Sequence, residues 1–119
     1  MSEAQPVSGD PGIGRELTAF QKNILVILAE EPRYGLAIKR DLEDYYDSEV
    51  NHGRLYPNLD DLVEMGLVEK SELDKRTNQY ALTEKGHGAV LGQLRWIFDR
   101  FVTGDERADE LHDLVDAVN

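Results

Sequence analysis

Apolar residues recur at three- and four-residue intervals in three stretches of the first half of the chain, which predicts three helices. Thr18 and Gln21 have the spacing of a capping box, so the first helix begins there, and Pro32 ends it. Its apolar stripe consists of Phe20, Ile24, Leu25, Ile27 and Leu28. Residues 1–16 are rich in glycine and proline and are expected to form a flexible arm.

The second predicted helix opens at Gly35, and the third follows its N-cap at Asn51. The apolar faces of the two are Ile38, Leu42 and Tyr45, and Leu55, Leu59, Leu62 and Val63. Gly66 fits a left-handed cap that ends the third helix. Beyond it, two short extended runs, 68–73 and 79–82, flank the polar turn 74–78, which predicts a β-hairpin with a positive tip.

Two further helices are expected after the hairpin, a long one capped by Thr83 and a short acidic one after Gly104. Three helices followed by a hairpin are typical of a winged helix-turn-helix, a mainly α (α+β) fold. In it the second and third helices read DNA and the two-stranded hairpin is the wing. The predicted organisation is a flexible arm (1–16), a DNA-binding domain (17–83) and C-terminal dimerisation helices (84–119).

Composition excludes several classes of function. The 119 residues suffice for one domain, and without cysteine the chain holds no disulfide, thiolate metal site or thiol switch. No apolar run approaches the ~20 residues of a membrane span and the start does not resemble a signal peptide, so a cytoplasmic protein without membrane contact is expected. His52, His87 and His112 lack metal-ligand spacing, and no catalytic triad or phosphate loop stands out. We therefore expect neither an enzyme nor a cofactor.

Net charge argues against a nucleic-acid partner, because 24 acidic and 13 basic residues give −11. The acids are concentrated, however. Five lie between residues 41 and 49 without a base, and six lie after Gly104 with only Arg107 among them. Between residues 15 and 40, five bases outnumber three acids, so a local basic surface is compatible with an acidic protein. The acid excess also suits a cytosol of concentrated salt.

Several runs of the sequence resemble the PadR family of transcriptional regulators, over residues 17–101. They are Leu17-Thr18-Ala19-Phe20, Tyr34-Gly35-Leu36-Ala37-Ile38, Gly53-Arg54-Leu55-Tyr56-Pro57-Asn58-Leu59, Gly66-Leu67-Val68-Glu69 and Tyr80-Ala81-Leu82-Thr83-Glu84-Lys85-Gly86. The acidity and the run 50–53 resemble haloarchaeal members, including one that regulates the response to reactive oxygen species. The resemblance implies a homodimeric repressor or activator that dimerises through C-terminal helices, although many members have a longer C-terminal part.

The third helix, about residues 52–65, is expected to enter the major groove of a double-stranded, pseudo-palindromic operator, with the turn 74–78 on the backbone or minor groove. Arg54 can bind guanine bidentately, a contact that contributes about 1–3 kcal/mol of discrimination. The candidate DNA-binding residues are Asn51, His52, Gly53, Arg54, Tyr56, Asn58, Lys39, Lys75 and Arg76. Each candidate also has an interpretation without DNA contact. Arg54 would then pair with an acid and Lys39 with Glu43, and the residues that would only cap or pack are Asn51, His52 and Tyr56.

The apolar stripe of the fourth helix is too wide for a small three-helix core, and an exposed patch of that kind marks an interface. A second copy is expected to cover it and to match the two-fold symmetry of the operator. The candidate dimerisation residues are Leu94, Trp96, Ile97, Phe98, Phe101, Leu111, Leu114 and Val118. The alternatives are packing of the last two helices within one chain and, for function, a winged helix that binds a protein and not DNA.

If the acid excess is an adaptation to salt, the protein should melt at a higher temperature in multimolar potassium chloride than at low salt, because cations screen the repulsion among its carboxylates. Thermal unfolding followed by circular dichroism across potassium chloride concentration measures this. Greater stability at low salt would contradict the interpretation.

Overall fold

The structure, a computed structural model, describes residues 16–74 and 77–118. These ranges contain five helices and three short strands. In chain order they are α1 (Ala19–Glu30), β1 (Arg33–Tyr34), α2 (Gly35–Tyr46), α3 (His52–Glu64), β2 (Val68–Glu72), β3 (Asn78–Leu82), α4 (Glu84–Phe101) and α5 (Asp105–Val118). The predicted winged-helix fold is confirmed. The predicted arm lies outside the described residues except for Glu16, as do Lys75 and Arg76 of the wing tip.

The predicted capping box starts α1. The Thr18 hydroxyl accepts a hydrogen bond from the Gln21 N–H at 3.1 Å, and the Gln21 side chain accepts one from the Thr18 N–H at 3.1 Å. These bonds satisfy backbone donors that a helix start otherwise leaves without a partner. The helix ends at Glu30, two residues before Pro32.

The sheet has one strand more than the sequence predicted. The strand order is β1-β3-β2 with both pairings antiparallel, and the short β1 pairs Arg33 with Tyr80 and Tyr34 with Gln79. Two residues after a proline are too few to show a strand periodicity, so the sequence pattern did not reveal β1. This strand brings the start of α2 against the wing.

The core collects the predicted leucines and isoleucines of α1, α2 and α3, with Tyr80 from β3. One prediction for α2 was wrong, because Tyr45 is 72% exposed. Its neighbour Tyr46 packs on the core instead, stacked on the Phe20 ring at 6.2 Å. Asn23 donates a hydrogen bond to the Tyr46 hydroxyl at 2.9 Å, which satisfies the polar end of that side chain.

The junction between α3 and α4 is tight. Gly66 has φ +79° and its N–H bonds the Val63 carbonyl, which confirms the left-handed cap. The Thr83 hydroxyl donates to the Gly66 carbonyl at 2.7 Å and accepts from the Gly86 N–H at 3.0 Å. A β-carbon at Gly86 would overlap the carbonyl oxygen of Leu67, so α4 begins directly against the end of α3.

Glu43 fastens the turn between α2 and α3. Its Oε2 accepts a hydrogen bond from Lys39 Nζ at 2.8 Å and another from the Val50 N–H at 3.0 Å. The Lys39 hydrogen bond first, and the Val50 bond second, hold the pKa of the Glu43 carboxyl below its usual range. The ionised carboxylate therefore stabilises the entry into α3.

Glu43→Gln should lower the free energy of unfolding at neutral pH, because the contribution of a carboxyl with a lowered pKa is present above its unfolded-state pKa. As pH falls through the lower pKa of the folded state, that contribution is lost, so the two proteins should converge. Denaturant unfolding at about pH 7 and about pH 3 measures the difference. Glu49→Gln, in the same turn, is the control. A lower free energy of unfolding of Glu43→Gln that persists at acid pH would contradict the stabilising role of the ionised Glu43 carboxylate.

Candidate nucleic-acid interface

On the exposed side of α3, a glycine and a proline lie near the start of the helix, and acidic residues lie further along it. Leu55, Leu59 and Leu62 are fully buried. Gly53 and Pro57 lie on the exposed side near the start of the helix, and Asp60 follows further along. A partner can therefore approach the backbone of the first turn closely, whereas the carboxylates lie beyond it.

Asn51 is the N-cap of α3, as predicted. Its Oδ1 accepts a hydrogen bond from the Arg54 N–H at 2.8 Å. An exposed helix start with its dipole toward solvent favours an anion nearby. Contact between Asn51 and DNA stays a prediction.

The guanidinium of Arg54 lies over the ring of Phe20, with its central carbon 4.0 Å from the ring centroid. Within residues 16–74 and 77–118, no carboxylate forms a salt bridge with it. Stacking occupies one face of the guanidinium and leaves its N–H edge available for bidentate hydrogen bonds. Arg33 contrasts with it, because its guanidinium pairs with three carboxylates, those of Glu30, Glu31 and Asp41.

Asn58 is held by the protein on both sides. Its Nδ2 donates to the Arg54 carbonyl at 2.7 Å, and its Oδ1 accepts from Gln21 Nε2 at 3.1 Å. Lys39 is likewise engaged, in the ion pair with Glu43. Of the interpretations that the sequence left open for Lys39, the structure shows the pairing, and both side chains are oriented by neighbours inside the domain.

An open cleft of about 490 Å³ separates the start of α3 from the wing. On the α3 side, His52 stacks on Tyr56 with ring centroids 5.5 Å apart. The remaining residues that line it are Tyr34, Gly35, Leu36, Thr77, Asn78 and Tyr80. The described lining holds aromatic rings and neutral hydrogen-bonding groups without a carboxylate.

Burial raises the pKa of the Tyr80 phenol, and the charge of Asp60 raises it further. Tyr80 is therefore a neutral phenol at the base of this cleft at physiological pH. The Asp60 carboxylate lies beyond the first turn of α3.

Sequence reasoning missed three residues at this surface, namely Tyr34, Phe20 and Gln21. Tyr34 enters the cleft because β1 joins the sheet, whereas Thr77 and Asn78 belong to the predicted turn 74–78. Phe20 and Gln21 were assigned to the core and to a cap, and their contacts with α3 join residues more than 30 positions apart. Periodicity and local spacing carry no signal for contacts at such a separation.

The apolar stripe of α4 remains uncovered within one chain. Its large side chains are exposed, namely Leu94, Trp96, Ile97, Phe98 and Phe101. In α5 no residue is buried, and Leu114 and Val118 are 64% and 83% exposed. Packing of α4 against α5 shields Leu111 only in part and leaves an apolar groove of about 220 Å³ beside it.

Two kinds of site are absent from the described part of the chain. Residues 16–74 and 77–118 contain no cluster of three His, Cys, Asp or Glu side chains that could hold a metal ion. No helix in the same ranges combines the length and apolarity needed to cross a membrane.

Comparison with known proteins gives a family and a set of similar structures. The transcriptional regulator PadR-like family matches residues 24–91, more than half of the chain. The structure of RosR from H. salinarum is 63% identical and covers 87% of this chain and 94% of its own, with a TM-score of 0.86. The structure described as the complex of hsRosR-S4 is 61% identical and covers 91% of this chain and 95% of its own, with a TM-score of 0.89. No curated protein sequence matches significantly.

A PadR-like transcription factor from Bacteroides fragilis shares the fold at lower similarity. It is 23% identical, covers 92% of each chain and has a TM-score of 0.57.

Proposed function

Because the chain belongs to the PadR-like family of transcriptional regulators, we propose that it binds its operator as a homodimer, with the start of α3 in the major groove and the wing on the adjacent backbone. The protein is a DNA-binding regulator and not an enzyme. The groove that α3 enters, the residues that contact DNA and the homodimer are parts of this proposal. A function in the response to reactive oxygen species rests on the resemblance to haloarchaeal members and stays a prediction.

The observation that carries the proposal is the state of Arg54. Its guanidinium lies at the exposed first turn of α3, stacked on Phe20 and without a carboxylate partner among the described residues. A guanidinium in that condition can donate two hydrogen bonds to O6 and N7 of guanine. Gly53 beside it adds no side chain that would keep the helix away from the bases.

The cleft between α3 and the wing fits a sugar–phosphate strand. Tyr34, His52 and Asn78 offer hydrogen-bond donors there, and phosphate oxygens are acceptors only. The strand would then run toward the wing tip, where Lys75 and Arg76 are proposed to contact it. The proposed contact set is therefore Asn51, His52, Gly53, Arg54, Tyr56, Lys75 and Arg76, whereas Asn58 and Lys39 support α3 from within.

Part of the acid excess of the chain lies away from this interface. The acidic residues of α5 lie on a helix that follows the long α4, outside the winged-helix domain. Similar proteins include RosR of H. salinarum, which agrees with the interpretation of the acid excess as an adaptation to concentrated salt. Screening at high salt shortens the reach of those carboxylates toward bound DNA.

The uncovered stripe on α4 and α5 supports the homodimer. A helix of 14 residues without a buried side chain gains little from packing and is marginal by itself in water. A second copy seated on the same stripe would bury both apolar faces at once, in an isologous two-fold interface. Such a pair would present two α3 helices to a pseudo-palindromic operator.

Arg54→Ala should weaken binding to the operator about 5- to 150-fold, the equivalent of the ~1–3 kcal/mol of a bidentate guanine contact. A mobility-shift titration with the region upstream of the protein's own gene measures the change. Arg95→Ala is the control, because Arg95 is an exposed arginine of α4 paired with Asp99. If Arg54→Ala binds the operator as tightly as the original protein, the proposed guanine contact is contradicted. If the original protein itself binds no DNA, the protein-binding alternative is favoured.

Ile97→Glu should convert a dimer into a monomer, since it places a carboxylate in the middle of the apolar stripe. Sedimentation velocity gives the oligomeric state, and circular dichroism checks that the helices remain. Arg95→Glu changes a neighbouring exposed position that is already polar and should leave the dimer intact. A monomeric parent protein at micromolar concentration would refute the homodimer.

A further inference from the structure

We propose that Phe20 and Gln21, adjacent residues at the start of α1, position Arg54 for DNA: the ring of Phe20 holds its guanidinium, and the amide of Gln21 holds its backbone through Asn58. The inference rests on the proposed DNA contact of Arg54 and adds two positioning residues that do not touch DNA themselves.

The first half of the device is the stacked guanidinium. Phe20 is 4% exposed, and its ring is fixed by stacking on Tyr46. An arginine side chain loses rotamer entropy when it is immobilised. A rigid ring 4.0 Å from the guanidinium restricts that side chain before DNA arrives, which reduces the cost of binding.

The second half is a chain of three hydrogen bonds that runs in one direction. The Thr18 N–H donates to Gln21 Oε1, Gln21 Nε2 donates to Asn58 Oδ1, and Asn58 Nδ2 donates to the Arg54 carbonyl. Its two ends are backbone groups, a donor at Thr18 and an acceptor at Arg54. Neither amide can be reversed without placing two donors or two acceptors against each other.

Gln21 is well suited to transmit this connection. Gln21 is 7% exposed and is the one polar residue that is buried in the described part of the chain. Both ends of its amide are used, one inside the cap of α1 and one across to α3. A buried amide that lost one of these bonds would carry the full cost of an unsatisfied polar group, so the relay fixes the distance between α1 and α3.

The first turns of α3 need this support because their own backbone is weak. Pro57 has no N–H, so it cannot bond the Gly53 carbonyl as a helical residue would. Gly53 itself favours the unfolded chain. The bond from Asn58 to the Arg54 carbonyl reinforces the helix at the turn that is proposed to read bases.

Gln21→Glu separates the capping function of this residue from its positioning function. A glutamate keeps the acceptor for the Thr18 N–H, since Glu is itself a capping-box residue. It replaces the donor to Asn58 by a carboxylate oxygen and offers the Arg54 guanidinium an ion-pair partner. Operator affinity should fall nearly as far as in Arg54→Ala, about 5- to 150-fold. The lost bond to Asn58 should also lower the melting temperature, so circular dichroism checks that the variant is folded at the temperature of the binding assay.

Gln21→Met is the matched variant without charge. It keeps the length of the side chain and removes both amide bonds, the capping bond to Thr18 and the positioning bond to Asn58. The affinity should fall by about fivefold, the equivalent of the lost positioning bond alone. Gln21→Met also serves as the test variant if Gln21→Glu does not fold. Equal affinity of Gln21→Met and the original protein would overturn the role of the relay.

A double-mutant cycle decides whether Gln21 acts through Arg54. In the Arg54→Ala background, Gln21→Glu should change the operator affinity by no more than about twofold, because the group it positions is gone. The same loss in both backgrounds would show that the new charge repels DNA directly, and would overturn the inference. If Arg54→Ala alone leaves binding unchanged, the proposed DNA contact fails together with the inference. If Arg54→Ala weakens binding and neither Gln21 variant does, only the inference fails.

Discussion

The proposed interface depends on an arginine free of carboxylates at the start of α3, in a protein with nearly two acids for each base. Three other cations of the described chain pair with neighbouring carboxylates: Arg33 with those of Glu30, Glu31 and Asp41, Lys39 with Glu43 and Arg95 with Asp99. Arg54 is stabilised instead by an aromatic ring. A ring is attractive to a guanidinium without competing for its N–H donors, whereas a carboxylate would use those donors and cancel the charge. The proposed interface therefore relies on an aromatic partner for Arg54 in place of a carboxylate.

Neutral hydrogen bonds hold much of the structure around that arginine, although the entry into α3 also uses the charged Glu43. Thr18, Asn51 and Thr83 each cap a helix with an uncharged side chain. The relay from Thr18 to Arg54 contains amides and backbone groups only. Interactions between exposed charges are screened as salt rises, while buried neutral hydrogen bonds are affected far less. A domain that works in concentrated salt gains from this division, in which neutral contacts set geometry and charge acts mainly at the surface.

Local patterns predicted most of the fold because the signals for helix ends lie within a few residues. The capping box at Thr18, the N-cap at Asn51 and the left-handed Gly66 are each confirmed. The strand β1 and the inward packing of Tyr46 could not be predicted, since both depend on which distant surface a short segment meets. The same holds at the candidate site: spacing indicated Arg54, but its ring partner and the two bonds that occupy Asn58 are long-range contacts. The assignment of DNA-binding residues therefore remains a prediction, now with a physical reason to separate reading residues from supporting ones.

The proposed dimer and the proposed DNA contact are mechanically one system. Thr83 bonds the end of α3 to the start of α4, and Gly86 permits that start to lie against Leu67. α4 is 18 residues long, and its second half carries the exposed stripe. If a second copy covers that stripe, one continuous helix would connect the proposed dimer contact to the end of α3, with few rotatable connections between them. The separation of the two α3 helices, and hence of the operator half-sites, would then be set by the packing of Gly86 and by the apolar stripe together. A substitution at either place can change which DNA is recognised without touching a residue that contacts it.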